Sequence, residues 1–196
     1  MTTDIPRARG RPRRFDPEQA VETAQHLFHA RGYDAVSISD LTGAMGINPP
    51  SFYAAFGSKA GLYARVVRRY GGAGAVPLDK LLRPDRPVAE SLAALLEAAA
   101  RNYAADPTAA GCFVLEGLRC SDPEAREAAR AENLAAEGAI HRYIAARHPE
   151  KADSLTDFIS TSMAGLSDRA RNGHDLHRLL ATARLAGTVL TQALPA

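Results

Sequence analysis

Ser37-Ile38-Ser39-Asp40-Leu41-Thr42-Gly43-Ala44-Met45-Gly46-Ile47-Asn48-Pro49-Pro50-Ser51-Phe52-Tyr53-Ala54-Ala55-Phe56 reads as two short helices joined by a tight turn. Ser37 can cap the first helix, and Asp40 three residues later can return a bond to the backbone of Ser37, the arrangement of a capping box. That helix must stop near Gly46, which tolerates a left-handed conformation, and the Asn48-Pro49-Pro50 run cannot continue its hydrogen-bond ladder. Asn48 is a good N-cap and proline suits the first helical positions, so a second helix of about two turns is expected over Pro49 to Phe56. Taken alone, the pair is either a helical hairpin within a core or a helix-turn-helix, whose second helix fits the DNA major groove.

The flanks extend the pattern. Asp16-Pro17-Glu18 supplies an N-cap, a first-turn proline and a first-turn acid. A helix starting there presents Ala20, Val21, Ala24, Leu27 and Phe28 on one face and ends before Gly32. With the hairpin this makes a three-helix unit whose remaining core is expected from Tyr33, Val36, Ile38, Leu41, Met45, Ile47, Phe52 and Phe56. Gly57-Ser58-Lys59 breaks and recaps the chain, and a fourth helix carries Leu62, Val66 and Tyr70.

Charge is uneven along the 196 residues. Up to Tyr70 there are ten Lys/Arg against six Asp/Glu, and beyond it fourteen against sixteen. Arg7, Arg9, Arg11, Arg13 and Arg14 supply most of the excess, interleaved with Pro6, Gly10 and Pro12, which oppose a helix. Such an arm is either a solvated tail or a strand of positive charge for a minor groove or phosphates.

Alanine and leucine are abundant, tryptophan is absent and alternating β-branched runs are missing, so the fold class expected is all-α. No apolar run approaches the roughly 20 residues that cross a bilayer, and the basic N-terminus leads into no apolar segment. A soluble, cytoplasmic protein is expected. No nucleophile elbow, zinc motif or phosphate loop is present, so no catalytic residue, metal or cofactor is assigned and an enzyme is not expected. His174 and His177, with His141 or His148, read as exposed side chains before they read as metal ligands. Cys112 and Cys120 form no disulfide framework. Lying eight residues apart near one short helix, they leave a thiol-based redox or electrophile sensor as an alternative.

Beyond Gly71-Gly72-Ala73-Gly74, read as a hinge or helix stop, loop formers dominate to Pro87 despite Leu78, Leu81 and Leu82. Helical patterning then resumes from Val88 to Asp106-Pro107, around Cys112-Phe113-Val114-Leu115, from Asp122-Pro123 to about His148, and in two last helices near 152–171 and 175–194. The layout expected is a flexible arm over 1–14, a DNA-binding unit over 15–57, a linking helix over 58–72 and a C-terminal unit over 73–196. The final helix is apolar on more than one face, which points to burial on two sides. Either a long core helix within one chain or a homodimer meets that need, the homodimer running through Phe158, Leu166, Leu179, Ala183, Ala186, Gly187 and Leu190, with small residues allowing close helix packing.

Gly10-Arg11-Pro12-Arg13, the Leu27-Phe28 to Gly32-Tyr33 pair, the hairpin, and Ser51-Phe52-Tyr53-Ala54-Ala55-Phe56-Gly57-Ser58-Lys59 with Leu62-Tyr63 together resemble the TetR/AcrR family of transcriptional regulators over about residues 10 to 70. The resemblance implies a dimeric regulator, usually a repressor, whose C-terminal domain binds a small molecule that weakens operator binding. It implies that Tyr53 meets a phosphate or thymine methyl, that Lys59, Ser37 and Ser39 meet phosphates, and that Pro49, Pro50, Ser51 and Ala55 face the groove floor. Arg11, Arg13 and Arg14 would follow from the arm. Ala54 and Ala55 depart from relatives that carry polar side chains there, which shifts specificity toward methyl contacts and DNA shape. The effector, a small molecule of unknown identity, is expected among Asn102, Tyr103, Phe113, Glu116, His141, Tyr143, Phe158 and Met163, which mix apolar walls with polar groups. A DNA-binding architectural protein without effector is the alternative, favoured by a tightly filled C-terminal core.

Overall fold

The computed structural model describes residues 16–194. The expected basic-arm contacts Arg11, Arg13 and Arg14 therefore lie outside the described residues. Among those residues there are ten α-helices and no strand: α1 Pro17–Arg31, α2 Ile38–Met45, α3 Pro49–Phe56, α4 Lys59–Ala73, α5 Leu78–Leu81, α6 Val88–Tyr103, α7 Phe113–Gly117, α8 Pro123–Ala145, α9 Ala152–Arg171 and α10 Leu176–Ala193. Short 3-10 turns at Pro107–Ala109 and Pro149–Lys151 complete the order.

The helix boundaries follow local chemistry. Asp16 accepts from the Glu18 amide at 2.9 Å and Pro17 occupies the first turn of α1. The Ser37 hydroxyl accepts from the Asp40 amide at 3.0 Å while the Asp40 carboxylate accepts from the Ser37 amide at 2.8 Å, so the capping box of α2 is complete. Gly46 closes α2 with φ 67° and ψ 33°, a conformation that costs a side-chain-bearing residue energy, and Ile47 donates back to the Thr42 carbonyl at 3.1 Å. Asn48 then caps α3 through the Ser51 amide at 2.9 Å. Removing the α2 cap in Ser37→Ala should destabilise the protein by about 1 kcal/mol in urea unfolding. The hydrogen bonds from the Ser37 hydroxyl and amide, with the Arg31 guanidinium, pull the Asp40 carboxyl down to about 2. Because that value is depressed on folding, its stabilising contribution is present above the ordinary carboxylate range and is lost as pH falls toward 2. Ser37→Ala should flatten that part of the acid limb, and an unchanged limb would reject the assignment.

Two hydrophobic cores result. The first gathers Ala20, Val21, Phe28, Tyr33, Val36, Leu41, Phe52, Phe56, Leu62, Tyr63 and Val66 from α1 to α4 and takes in Phe113 and Val114 of α7 and Ala125 of α8. The second is built on Leu92, Leu95, Leu96 and Ala99 of α6, with Ile140 and Ile144 of α8, Ile159 and Leu166 of α9, and Leu179, Ala183 and Leu190 of α10. Helix α10 packs most extensively along α6, and α8 runs between α4 and α9.

Three local readings are sharpened. Helix α4 stops within the expected run, passing through Gly71 and Gly72 to Ala73 with Gly74 as its C-cap, and α8 approaches so closely that a Cβ at Gly71 would meet the Glu132 side chain. The loop after it contains one helical turn, α5, whose Leu78 and Leu81 lean on the C-terminal core. The third concerns the expected dimer residues Leu166, Leu179, Ala183, Gly187 and Leu190, which are buried within the chain itself. Gly187 lets α10 lie against Ala93 of α6, 3.1 Å from where its Cβ would stand. The strongest apolar stripe of α10 is consumed by α6, because intramolecular packing claims the most continuous hydrophobic face first. Phe158 and Ala186 remain only half-buried, and the outward faces of α9 and α10 expose Ala164, Gly165, Leu185 and Val189 instead.

Candidate nucleic-acid interface

Helix α3 is amphipathic in the sense that matters for a groove. Phe52 and Phe56 point inward and are buried, with ring centroids 5.4 Å apart, while Tyr53 is 50% exposed. Pro49, Pro50, Ser51 and Ala54 are exposed with it, and Ala55 is half-buried against the N-terminal core. Ser37 and Ser39 are exposed at the start of α2. The Ser37 hydroxyl, however, donates to Asp40 at 2.6 Å as well as capping, so little of its capacity is free for a phosphate. Helices α2 and α3 meet at Ile47 and Asn48, and the outward side chains form one small-residue surface around a single aromatic.

Lys59 has a partner that its position in the chain does not reveal. Its Nζ lies 4.1 Å from the centre of the Tyr33 ring, a cation–π contact. The same Tyr33 hydroxyl donates to Asp122 at 2.7 Å, and the neighbouring Asp34 accepts from the Ser121 amide at 3.0 Å and from its hydroxyl at 2.5 Å. The Tyr33 hydrogen bond holds the Asp122 carboxyl below the usual range, and the Ser121 bonds do the same for Asp34. Asp122 also caps α8 through the Glu124 amide at 2.9 Å. A cluster of Lys59, Tyr33, Asp34, Ser121 and Asp122 thus ties the DNA-facing unit to the start of α8.

A second tie is aromatic. Phe113, expected in an effector pocket, is buried instead among His29, Tyr63 and Tyr70, with ring centroids 5.1 to 5.6 Å away. His29 Nε2 lies 3.2 Å from the Gly111 carbonyl, and burial pushes its pKa down.

The remaining pocket candidates disperse. A cleft-like cavity of about 640 Å³ opens between the end of α4, the 75–80 segment, α7, α8 and α9. Of the eight expected residues it collects Tyr103 and Met163. Asn102 donates to the Gly74 carbonyl at 3.1 Å, Glu116 pairs with Arg171 at 3.4 Å, and His141 pairs with Asp153 at 3.0 Å. Tyr143 donates to the Arg83 carbonyl at 2.8 Å with Arg147 over its ring, and Phe158 packs on the C-terminal core. The wall residues that were missed are Tyr70, Val76, Val114, Glu132, Asn133, Glu137, Ile140 and Ser160. Cys112 also lines the cavity, but burial pushes both its thiol and that of Cys120 up. Reactive sensor thiols need the opposite shift, so the thiol-sensor alternative finds no support in their surroundings. Among the described residues no three His, Cys, Asp or Glu side chains converge as a metal site, and no helix is long and apolar enough to cross a membrane.

A capped helix-turn-helix on a larger helical body that holds a cavity defines the class of DNA-binding transcriptional regulators. The model of bacterial regulatory proteins of the tetR family matches residues 20–66. Over 190 residues the chain is 53% identical to the HTH-type transcriptional repressor BdcR of Escherichia coli (strain K12), covering 97% of this chain and 96% of that protein. It is 30% identical over 205 residues to the HTH-type transcriptional repressor ComR of the same organism, again covering 97% and 96%. Among solved structures, a cysteine mutant of the TetR family transcriptional regulator CifR complexed with 26-bp double-strand operator DNA superposes with a TM-score of 0.81 at 31% identity, covering 91% of this chain and 98% of that one. The chain belongs to the TetR family of bacterial regulatory proteins.

Proposed function

We propose that this chain is a cytoplasmic repressor that binds operator DNA as a homodimer and leaves it when a small molecule fills the 640 Å³ cavity. It acts by binding and not by catalysis. The observation that carries the reading is the division of α3, with Phe52 and Phe56 anchoring it and Ser51 and Tyr53 left outward. A core hairpin would bury both faces. The repressors BdcR and ComR and the operator complex of CifR support the same reading. The cavity is of the size small-molecule sites use, roughly 300–1,000 Å³, which favours a ligand-controlled regulator over an architectural protein.

Tyr53 is the side chain assigned to phosphate or thymine methyl, with Ser39, Pro49, Pro50 and Ser51 along the same surface. Lys59, held over the Tyr33 ring, is assigned to a phosphate. Tyr53→Ala should lower operator affinity about tenfold in fluorescence anisotropy while urea unfolding changes by less than about 1 kcal/mol, since the ring is half exposed. Unchanged affinity would remove Tyr53 from the interface.

A further inference from the structure

The cavity walls differ in chemistry. Val76, Val114, Ile140 and Met163 make an apolar floor. On the α8 side, the half-buried Glu132, Asn133 and Glu137 line it, and none of their three side chains makes a hydrogen bond or ion pair with another described residue. From α9, Ser160 also borders the cavity, with its hydroxyl covered and without a hydrogen-bond partner. Asp79 and Lys80 also border the cavity and are exposed. The α8 wall of the cavity therefore carries two carboxylates without a hydrogen-bonded or ion-pair partner, next to an apolar surface.

A carboxylate beside an apolar surface is met best by a cation that donates charge-assisted hydrogen bonds to it. What completes this wall is a positive group whose own N–H donors meet the Glu132 and Glu137 carboxylates, attached to a body that covers the floor. We propose that the cavity selects an amphipathic organic cation, a protonated amine on an apolar chain or ring. This rests on reading the cavity as the effector site. Anionic amphiphiles are disfavoured by the same two carboxylates, and neutral ones gain only the floor. Glu132 also has a direct line to the DNA-facing unit. It lies against α4 at Gly71, where a Cβ would stand 2.8 Å from its Cδ. A ligand that engages Glu132 thereby acts on the helix that carries the DNA-binding unit.

The test uses three probes of one shape, octylammonium, octanol and octanoate, titrated by calorimetry into the full chain without DNA. Octylammonium should bind at least about tenfold more tightly than octanol, the scale of one charge-assisted contact, with octanoate weakest. In the Glu132→Gln/Glu137→Gln double variant, which keeps side-chain volume, octylammonium and octanol should bind alike. The single Glu137→Gln variant should narrow the gap in the same direction, and serves should the double variant melt early. Equal or tighter binding of octanol or octanoate, a preference that survives the substitutions, or no binding of any probe would overturn the proposal. Because no DNA is present, failure here is separate from failure of operator binding, which is measured with the ligand-free protein.

Discussion

Replacing Leu185 and Val189 together by aspartate is expected to leave the chain folded, convert a dimer to a monomer in sedimentation at micromolar concentration, and lower operator affinity at least about 100-fold. Leu185 is 68% exposed and Val189 45% exposed, one turn apart on the side of α10 that faces away from α6. Neither supports the chain's own core, so two aspartates there cost little in the monomer. Buried against a second copy, they would face apolar side chains without a partner, which disfavours association strongly. The exposed Ala164 and Gly165 of α9, with open space beside Gly165, allow the partner helices to approach closely. The loss in DNA affinity follows from geometry. A dimer engages two half-sites about one helical turn of DNA apart, so the second recognition helix binds at a high effective concentration that a monomer loses. A variant that stays dimeric would move the interface elsewhere. A monomer that binds the operator undiminished would remove dimerisation from the mechanism.

The second large effect is on folding. Phe52→Ala should cost about 3–5 kcal/mol in urea unfolding. Phe52 is fully buried, its ring packs 5.4 Å from Phe56, and it joins α3 to the core shared with α1 and α4. Against a typical total of about 5–15 kcal/mol, such a loss leaves the DNA-facing unit marginal. The neighbouring Tyr53→Ala should do the reverse, sparing stability and weakening DNA binding. The pair measures the orientation of α3 directly: equal stability costs at 52 and 53 would mean that the helix is rotated from the position described.

What could be read without coordinates was local. The hairpin, its caps and the inward aromatics of α3 depend on residues within a few positions of one another, so Ser37, Asp40, Gly46 and Asn48 announce their roles. What could not be read depends on which distant element arrives first at a face. The apolar breadth of α10 was legible, but its division between α6 and the outward surface was not, because Ala93 and Gly187 meet only in the folded chain. The motif marks Lys59 for a phosphate but gives no sign of Tyr33 and Asp122, which come to it from far along the chain. The cavity gathers segments near 70–80, 112–115, 132–140 and 160–163, so an unpartnered Glu132 or Ser160 carries no mark in sequence. Phe113 shows the converse, an aromatic at helical spacing that fastens two units and lines no part of the large cavity.

The central claim, that α3 reads DNA as one half of a symmetric pair, is tested most directly by footprinting the ligand-free protein on the DNA upstream of its own gene and on a selected DNA library. The account predicts salt-sensitive protection of a two-fold symmetric site with half-sites about one helical turn apart, lost in Tyr53→Ala at the same protein concentration. Protection that is absent, indifferent to sequence, or unaffected by Tyr53→Ala would contradict it.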